Sequence, residues 1–287
     1  MEHRGEESLS EIFSTITLGL SSSSISSQFS TVQFCLSAID NLLVREDPTF
    51  DSSIQKVVNI LELCAREHSS TNKTKEEWPY EIRGEVIGGL GKRISIDPDV
   101  NVRKFRGNSR GGHYLLHPLY LCGSVEVEVD LNLSCFNMER MHTECICLSG
   151  SNFYLSKLSY SSFHDCEMRY CNFGGAVCDS LVLDGDASFS SFEGSNLDGC
   201  HLSGTFKEVD FTGSHMTMGI LSLSETSGCR FNDCDLRWAN LQDSEASIDL
   251  SGAQVNCDTV FPGGHTVSSI GIKEVQRMWG NVTLCSS

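Results

Sequence analysis

The sequence predicts a mainly β protein, a coil of short strands on a five-residue repeat behind a small helical N-terminal domain. Three observations carry that reading. From Leu133 to Val255 a large, mostly apolar residue returns every five positions, a period that neither a 3.6-residue helix nor an alternating strand produces. Two residues before most of these centres stands a small side chain, such as Ser151, Cys171, Ala176, Ser195 or Ala239. Ahead of the repeat, residues 31–90 space their apolar side chains by three and four, as amphipathic helices do.

Composition allows a packed core and narrows the chemistry. The 287-residue chain is 39% apolar and 21% charged, which argues against wholesale disorder. Its formal net charge is −17, and residues 131–260 alone carry 6 basic and 18 acidic side chains. A free phosphate-binding surface needs a net basic face, so direct nucleic-acid binding is not expected. The 14 cysteines lack CxxC spacing and are expected to be reduced, structural thiols. No apolar run approaches the roughly 18 residues of a membrane span. The N-terminus shows no basic region leading into a secretory apolar stretch.

Residues 1–30 include ten serines and too little apolar material to order themselves, so they are expected to be flexible and read as a candidate secretion signal. A helix should follow a cap at Ser30 or Thr31 and bury Phe34, Ile39, Leu42 and Leu43. A second follows Ser52 or Ser53 through Ile54, Val57, Val58, Leu61 and Cys64; a third opens at Pro79 and carries Ile82, Val86, Ile87 and Leu90. Residues 91–113 read as a loop, and Val125 to Leu131 alternates as a half-buried strand. The expected domains are a helical or mixed one over 31–120, the repeat over 121–260, and a capping tail over 261–287. In that tail Ile272, Val275, Met278 and Trp279 share one face of a short helix, expected to cover the coil end or a nearby apolar strip of Met218, Trp238 and Cys257.

The triplets Ala239-Asn240-Leu241, Ser195-Asn196-Leu197 and Cys171-Asn172-Phe173 resemble the A-[D/N]-L-x-x consensus of the pentapeptide-repeat family. The resemblance covers roughly residues 131–255. It implies a right-handed quadrilateral β-helix, four pentads per coil, with each centre and the residue two before it pointing inward. The residues themselves test that register, since every fourth centre must then stack. One column reads Leu133, Phe153, Phe173, Phe192, Phe211, Phe231, Leu250; the next reads Met138, Leu158, Cys178, Leu197, Met216, Leu236, Val255. A third reads Thr143, Phe163, Leu183, Leu202, Leu221, Leu241. Some coils measure one residue less, and each loss falls on the fourth side, around Ala187, Phe206 and Glu245. Asn132, Asn152 and Asn172 stack outside the phenylalanines, where amides can form a ladder. With about 4.8 Å between coils the rod should be about 30 Å long.

Candidate chemistry is sparse. Cys166, Cys171, Cys200, Cys229 and Cys234 take the small inward position and should be inert. Cys145, Cys147 and His142 form a metal candidate, weighed against simple wall positions. His113 and His117 read as packing. No catalytic motif is present, so no enzyme activity and no cofactor are expected. An acidic face is expected from Asp179, Asp184, Glu193, Asp198, Asp210 and Asp235. It reads either as a solvated wall or, as in the gyrase-protection proteins of the resembled family, as a mimic of DNA charge. Lys92, Arg93, Arg103, Lys104, Arg106 and Arg110 form a basic stretch that could hold a phosphate, an anionic lipid or an acidic partner, or pair with the chain's own acidic rod.

The layout resembles PipB-like type III secreted effectors, and also the β-helical region of HECT-like effector ligases, though only residues 261–287 follow the repeat and ligase activity is not carried over. The resemblance implies a non-enzymatic interaction scaffold, secreted by a bacterium into a host cell by a type III-like route and binding host protein or anionic membrane. The alternative is a bacterial cytoplasmic DNA mimic that binds a type II topoisomerase.

Overall fold

The structure, a computed structural model, describes residues 14–16, 18–19, 24–43, 51–67, 79–95, 112–116, 127–131, 133–136 and 138–285. The chain divides into two compact units, one built by residues up to Leu131 and one from Leu133 onward.

The first unit holds three helices, α1 (Ile25–Leu43), α2 (Asp51–Glu67) and α3 (Pro79–Gly91). Their inward faces are Val32, Cys35, Leu36, Ile39 and Leu42, then Ile54, Val57, Val58 and Leu61, then Ile82, Val86, Ile87 and Leu90, all buried. Gly89 lets α3 approach α1, since a Cβ there would lie 2.3 Å from Leu36 Cδ1. Helix α1 starts five residues before the expected cap. Ser30 and Thr31 lie inside it, and their hydroxyls donate to the carbonyls of Ser26 and Ser27 one turn back instead of capping. Phe34 turns outward at 39% exposure, because the core face of α1 runs through Val32, Cys35 and Leu36.

The stretch read as a loop supplies strands at both ends. β1 (Ile94–Ser95), β2 (Gly112–Leu116) and β3 (Val127–Leu131) form an antiparallel sheet in that order. β3 pairs with β2 in the register Leu116↔Val127, so the first unit runs to Leu131, beyond the boundary expected near 120.

The second unit is a four-sided pentapeptide-repeat β-solenoid. Side one carries the phenylalanines, and its coils are joined by parallel bridges Asn152↔Asn172, Asn172↔Ser191, Ser191↔Asp210 and Asp210↔Arg230. Side two is joined through Lys157↔Val177, Val177↔Asn196, Asn196↔His215 and His215↔Asp235. Side three is a parallel sheet of β4 (His142–Glu144), β5 (Ser162–Glu167), β6 (Val182–Asp186), β7 (His201–Thr205) and β8 (Ile220–Ser224). Side four buries Leu148, Met168, Ala187, Phe206 and Thr226. Phe153, Phe173, Phe192, Phe211 and Phe231 stack as predicted, with successive centroid distances of 4.7, 4.5, 5.3 and 5.0 Å.

The shorter coils lose their residue at the corner between sides three and four. β5 carries a bulge there, so Phe163 faces Leu183 but Cys166 faces Gly185. In the coils that follow, glycine lets the wall close: a Cβ on Gly185 would lie 2.1 Å from the Cys166 carbonyl oxygen, and one on Gly204 would lie 2.1 Å from that of Gly185. Their φ values of 145° and 108° also favour glycine.

The far end is closed by β9 (Gln254–Val255), a 3₁₀ turn at Pro262–Gly264, α4 (Val267–Ile270), α5 (Ile272–Trp279) and β10 (Thr283–Leu284). Val275 and Trp279 are buried, and Trp279 stacks on Phe261 at 5.0 Å. β10 then adds to β9 in parallel, a strand absent from the sequence reading. Met278, expected on the covering face, is 42% exposed, since Val275 and Trp279 at i,i+4 set the buried stripe. The cap covers the coil end and leaves Met218, Trp238 and Cys257 exposed.

Candidate functional site

The interior is occupied by packing and by a second layer of hydrogen bonds. Small inward residues donate to a carbonyl of the preceding coil: Ser156 Oγ to Leu133 at 2.7 Å, Ser190 Oγ to Met168 at 2.8 Å, Ser244 Oγ to Leu221 at 2.7 Å and Thr259 Oγ1 to Leu236 at 3.0 Å. Several also accept a backbone N–H, as Ser190 does from Cys171. The sequence signalled these positions only as small. Their chemistry is to satisfy backbone groups that the turns leave open.

The thiols share that interior. Burial raises the pKa of Cys171, Cys178 and Cys200 far above the ordinary value, and raises Cys229 to about 11 and Cys234 to about 12. Cys171 Sγ donates to the Leu148 carbonyl, serving as a serine would. Around the metal candidate, His142 Nδ1 lies 2.5 Å from Ser162 Oγ, Cys145 is exposed, and burial raises Cys147. Among the described residues no three His, Cys, Asp or Glu side chains are placed to hold a metal ion.

The outer wall is where a partner can touch. Residues just before several centres cap their own turns: Asn152 accepts from Tyr154 N, Asn172 from Gly174 N, Asp210 from Thr212 N and Asp235 from Arg237 N. The asparagine side-chain oxygens thus serve turns within their own coil, in place of the expected ladder between coils; Asn132 lies outside the described residues. Sequence reasoning saw the stack and missed the turn geometry.

The acidic face is present but largely engaged. Asp179 accepts from Ser159 Oγ at 3.1 Å, Asp184 from Ser203 Oγ at 3.1 Å, and Asp198 from Thr217 N and Oγ1 at 3.0 and 2.6 Å. Asp210 is paired with Arg230 at 2.7 Å. Asp235, 6% exposed, is held by Arg237 at 2.6 Å. Burial pushes its carboxyl up, yet the Arg237 hydrogen bonds and charge, with His215, bring it below the ordinary 3.8. Glu193 is exposed. Asp179 and Asp198 stack in one column, since Tyr160 N bonds the Asp179 carbonyl and Ser180 N that of Asp198.

Of the basic stretch, Lys92 is exposed, whereas Arg93 is buried at 7% and drops out of an anion site. Its guanidinium forms a two-pronged pair with Asp40 at 2.8 and 2.7 Å and donates to the Gly89 carbonyl, locking α3 to α1. Arg103, Lys104, Arg106 and Arg110 lie outside the described residues.

Beside the acids runs an apolar strip that sequence analysis named only in part. Met218 is 67% exposed, Ile220 46% and Trp238 39%, with Arg237 Cζ 5.4 Å from the Trp238 ring. Met218 and Trp238 sit in left-handed turns at φ 58° and 59°, where Gly199 serves the coil before. A bulky side chain there costs about 1–2 kcal/mol against glycine. The same left-handed turn recurs along the coils with side chains as varied as Asp165, Ser180 and Glu225, so it aims Met218 and Trp238 outward without singling them out, and Ile220 lies in β8.

No family model matches the chain, and no curated protein does. Among solved structures, a trypsin-treated variant of QnrB1, a plasmid-mediated fluoroquinolone resistance protein, aligns with TM-score 0.31 and 12% identity over 54% of this chain and 79% of that one. HetL, a pentapeptide repeat protein involved in heterocyst differentiation regulation from the cyanobacterium Nostoc sp. strain PCC 7120, gives 0.21 and 16% over 53% and 72%. The pentapeptide repeat protein Rfr23 from the cyanobacterium Cyanothece 51142 gives 0.17 and 17% over 42% and 64%. At such scores the fold stands on the coil geometry, and these names say nothing of what this chain binds.

Proposed function

We propose that this pentapeptide-repeat solenoid is a non-enzymatic interaction scaffold that takes a partner protein on its outer wall. The observation that carries the reading is the exposed strip of Met218, Ile220 and Trp238 beside Asp198 and Asp235. Large apolar side chains exposed side by side on a rigid wall are expected where a partner covers them. The test is partner capture by cross-linking with the intact chain and with a Met218→Asp/Trp238→Asp variant. Capture should be lost while the melting profile is kept; capture that survives the double change refutes the reading.

In its finer form the scaffold is an effector delivered to a host cell, where it meets host protein or anionic membrane. The serine bias of residues 1–30 supports this. A reporter behind residues 1–30 should then leave the cell through a type III apparatus, and retention of that reporter ends the effector reading.

The acidic columns favour a second reading, a DNA mimic that binds a type II topoisomerase. Charge reversal at Asp179, Asp198 and Asp210 should then abolish topoisomerase binding. Against it stand Arg230 and Arg237, which neutralise Asp210 and Asp235 at short range. A mimic needs carboxylates left free to face its reader.

A further inference from the structure

A second surface lies at the corner between sides four and one, away from the Met218 strip. A groove of about 780 Å³ is lined there by Tyr170, Phe189, Glu193, Glu208, Asp210 and Arg230, among others. Backbone bonds Gly150 N to Arg169 O, Tyr170 N to Ser188 O, Phe189 N to Lys207 O and Glu208 N to Ser227 O stack one turn position through successive coils. That column reads Gly150, Tyr170, Phe189, Glu208, Gly228, every member at positive φ from 53° to 77°. Glycine holds the outer members, and three large side chains hold the middle despite the strain. Gly228 also leaves space for Glu208, since a Cβ on it would lie 2.8 Å from Glu208 Cγ.

The side chains share one chemistry. The Tyr170 and Phe189 rings are stacked at 4.9 Å. Arg169 stands 5.6 and 5.5 Å from their centroids and Lys207 5.9 Å from that of Phe189, so this ring pair already attracts cations; neither cation lines the groove. Glu193 and Glu208 are exposed, and among the described residues their carboxylates have no hydrogen bond or ion pair. Asp210 is shared between Thr212 N and Arg230. A groove with an aromatic wall, two free carboxylates and its one lining arginine already paired complements a planar cation.

We infer that this groove takes an arginine side chain presented by an extended segment of a partner protein, an inference that rests on the scaffold reading and adds the chemistry of one contact. Guanidinium fits better than ammonium because it can stack on Phe189 while meeting carboxylates with paired donors.

The probe is the blocked peptide Ac-Gly-Ser-Arg-Ser-Gly-NH2, titrated into the isotope-labelled full chain at physiological salt and followed by amide shifts. Shifts should concentrate at residues 189–193 and 208–210. The lysine analogue should bind more weakly and the uncharged citrulline analogue not at all. Glu193→Gln/Glu208→Gln should weaken binding about fivefold or more, and Phe189→Ala should abolish the preference for arginine over lysine. Asp179→Asn/Asp198→Asn should change nothing. Shifts spread along the acidic wall, or binding indifferent to Glu193 and Glu208, overturn the inference. If the peptide fails while Trp238-dependent capture persists, the groove assignment falls and the scaffold stands.

Discussion

Phe192 offers the most direct measure of what holds the rod together. It is fully buried, lies 4.5 Å from Phe173 and 5.3 Å from Phe211, and its coil is fixed to the next by a 2.7 Å bond from Phe192 N to Asp210 O. Phe192→Ala removes a ring from the middle of a stack whose neighbours are pinned by their own backbone ladders. Large-to-small changes of this kind cost about 3–5 kcal/mol, and more where the surroundings cannot collapse. Two lost ring contacts at about 0.5–1.5 kcal/mol each place the expected loss in the upper half of that range, about 4–5 kcal/mol. Urea unfolding followed by far-UV circular dichroism reads it: with a slope of about 2 kcal/mol/M, the midpoint should fall by about 2 M. Phe189→Ala, the same chemical change three residues earlier on the outer wall, should cost under about 1.5 kcal/mol. A Phe192→Ala midpoint within about 0.5 M of the parent, or equal to that of Phe189→Ala, would refute the stacked-column account.

Three further outcomes follow from the geometry. Gly204→Ala should destabilise by about 2–4 kcal/mol through overlap with the Gly185 carbonyl, whereas Gly213→Ala, with nothing within 4 Å, should cost about 1 kcal/mol in the same melt. Asp235→Asn should lower stability at pH 7. Because the Asp235 carboxyl titrates below its ordinary 3.8, its contribution is full above that value and is lost as pH falls through the lower folded-state value, so the gap between the parent and Asp235→Asn melts should be equal at pH 7 and 5 and shrink as pH falls below 3.8. With a disulfide thiol reagent at pH 8, exposed Cys135, Cys145 and Cys257 should react at once. Cys178, Cys200 and Cys234 should react only on unfolding, and early labelling of Cys234 would contradict its burial.

The solenoid was legible because its signal is one-dimensional. A phenylalanine every coil fixes the register, and the rings of Phe153 to Phe231 stack in that order. The positions of the lost residues near Ala187 and Phe206 were readable for the same reason. What the sequence could not reveal was how polar side chains divide their bonds. Ser156 and Ala176 look alike as small residues, yet only the serine bonds the preceding coil. Asn152 reads as a ladder member and acts as a turn cap. The start of α1 was missed because Ser30 and Thr31 are good caps and also tolerate bonding one turn back. Arg93 looked free among basic neighbours because its partner, Asp40, lies far away in sequence. Of the wall, the acids and the Met218 strip could be named in advance. The groove at Tyr170 and Phe189 could not, since it needs two sides of the coil at once.

The corner at Gly185 and Gly204 has a consequence for how such a chain changes over time. A codon gained or lost there alters one coil's circumference without moving any position on sides one, two and three, because the bulge absorbs the difference before the next phenylalanine. Elsewhere the same event would shift every following residue by one place, turning core outward and surface inward. Among the described residues, the length differences between coils of the rod fall at this seam. Along its other sides every outward residue keeps a fixed address, so a recognition pattern spread over several coils can be inherited intact while the coils themselves are edited.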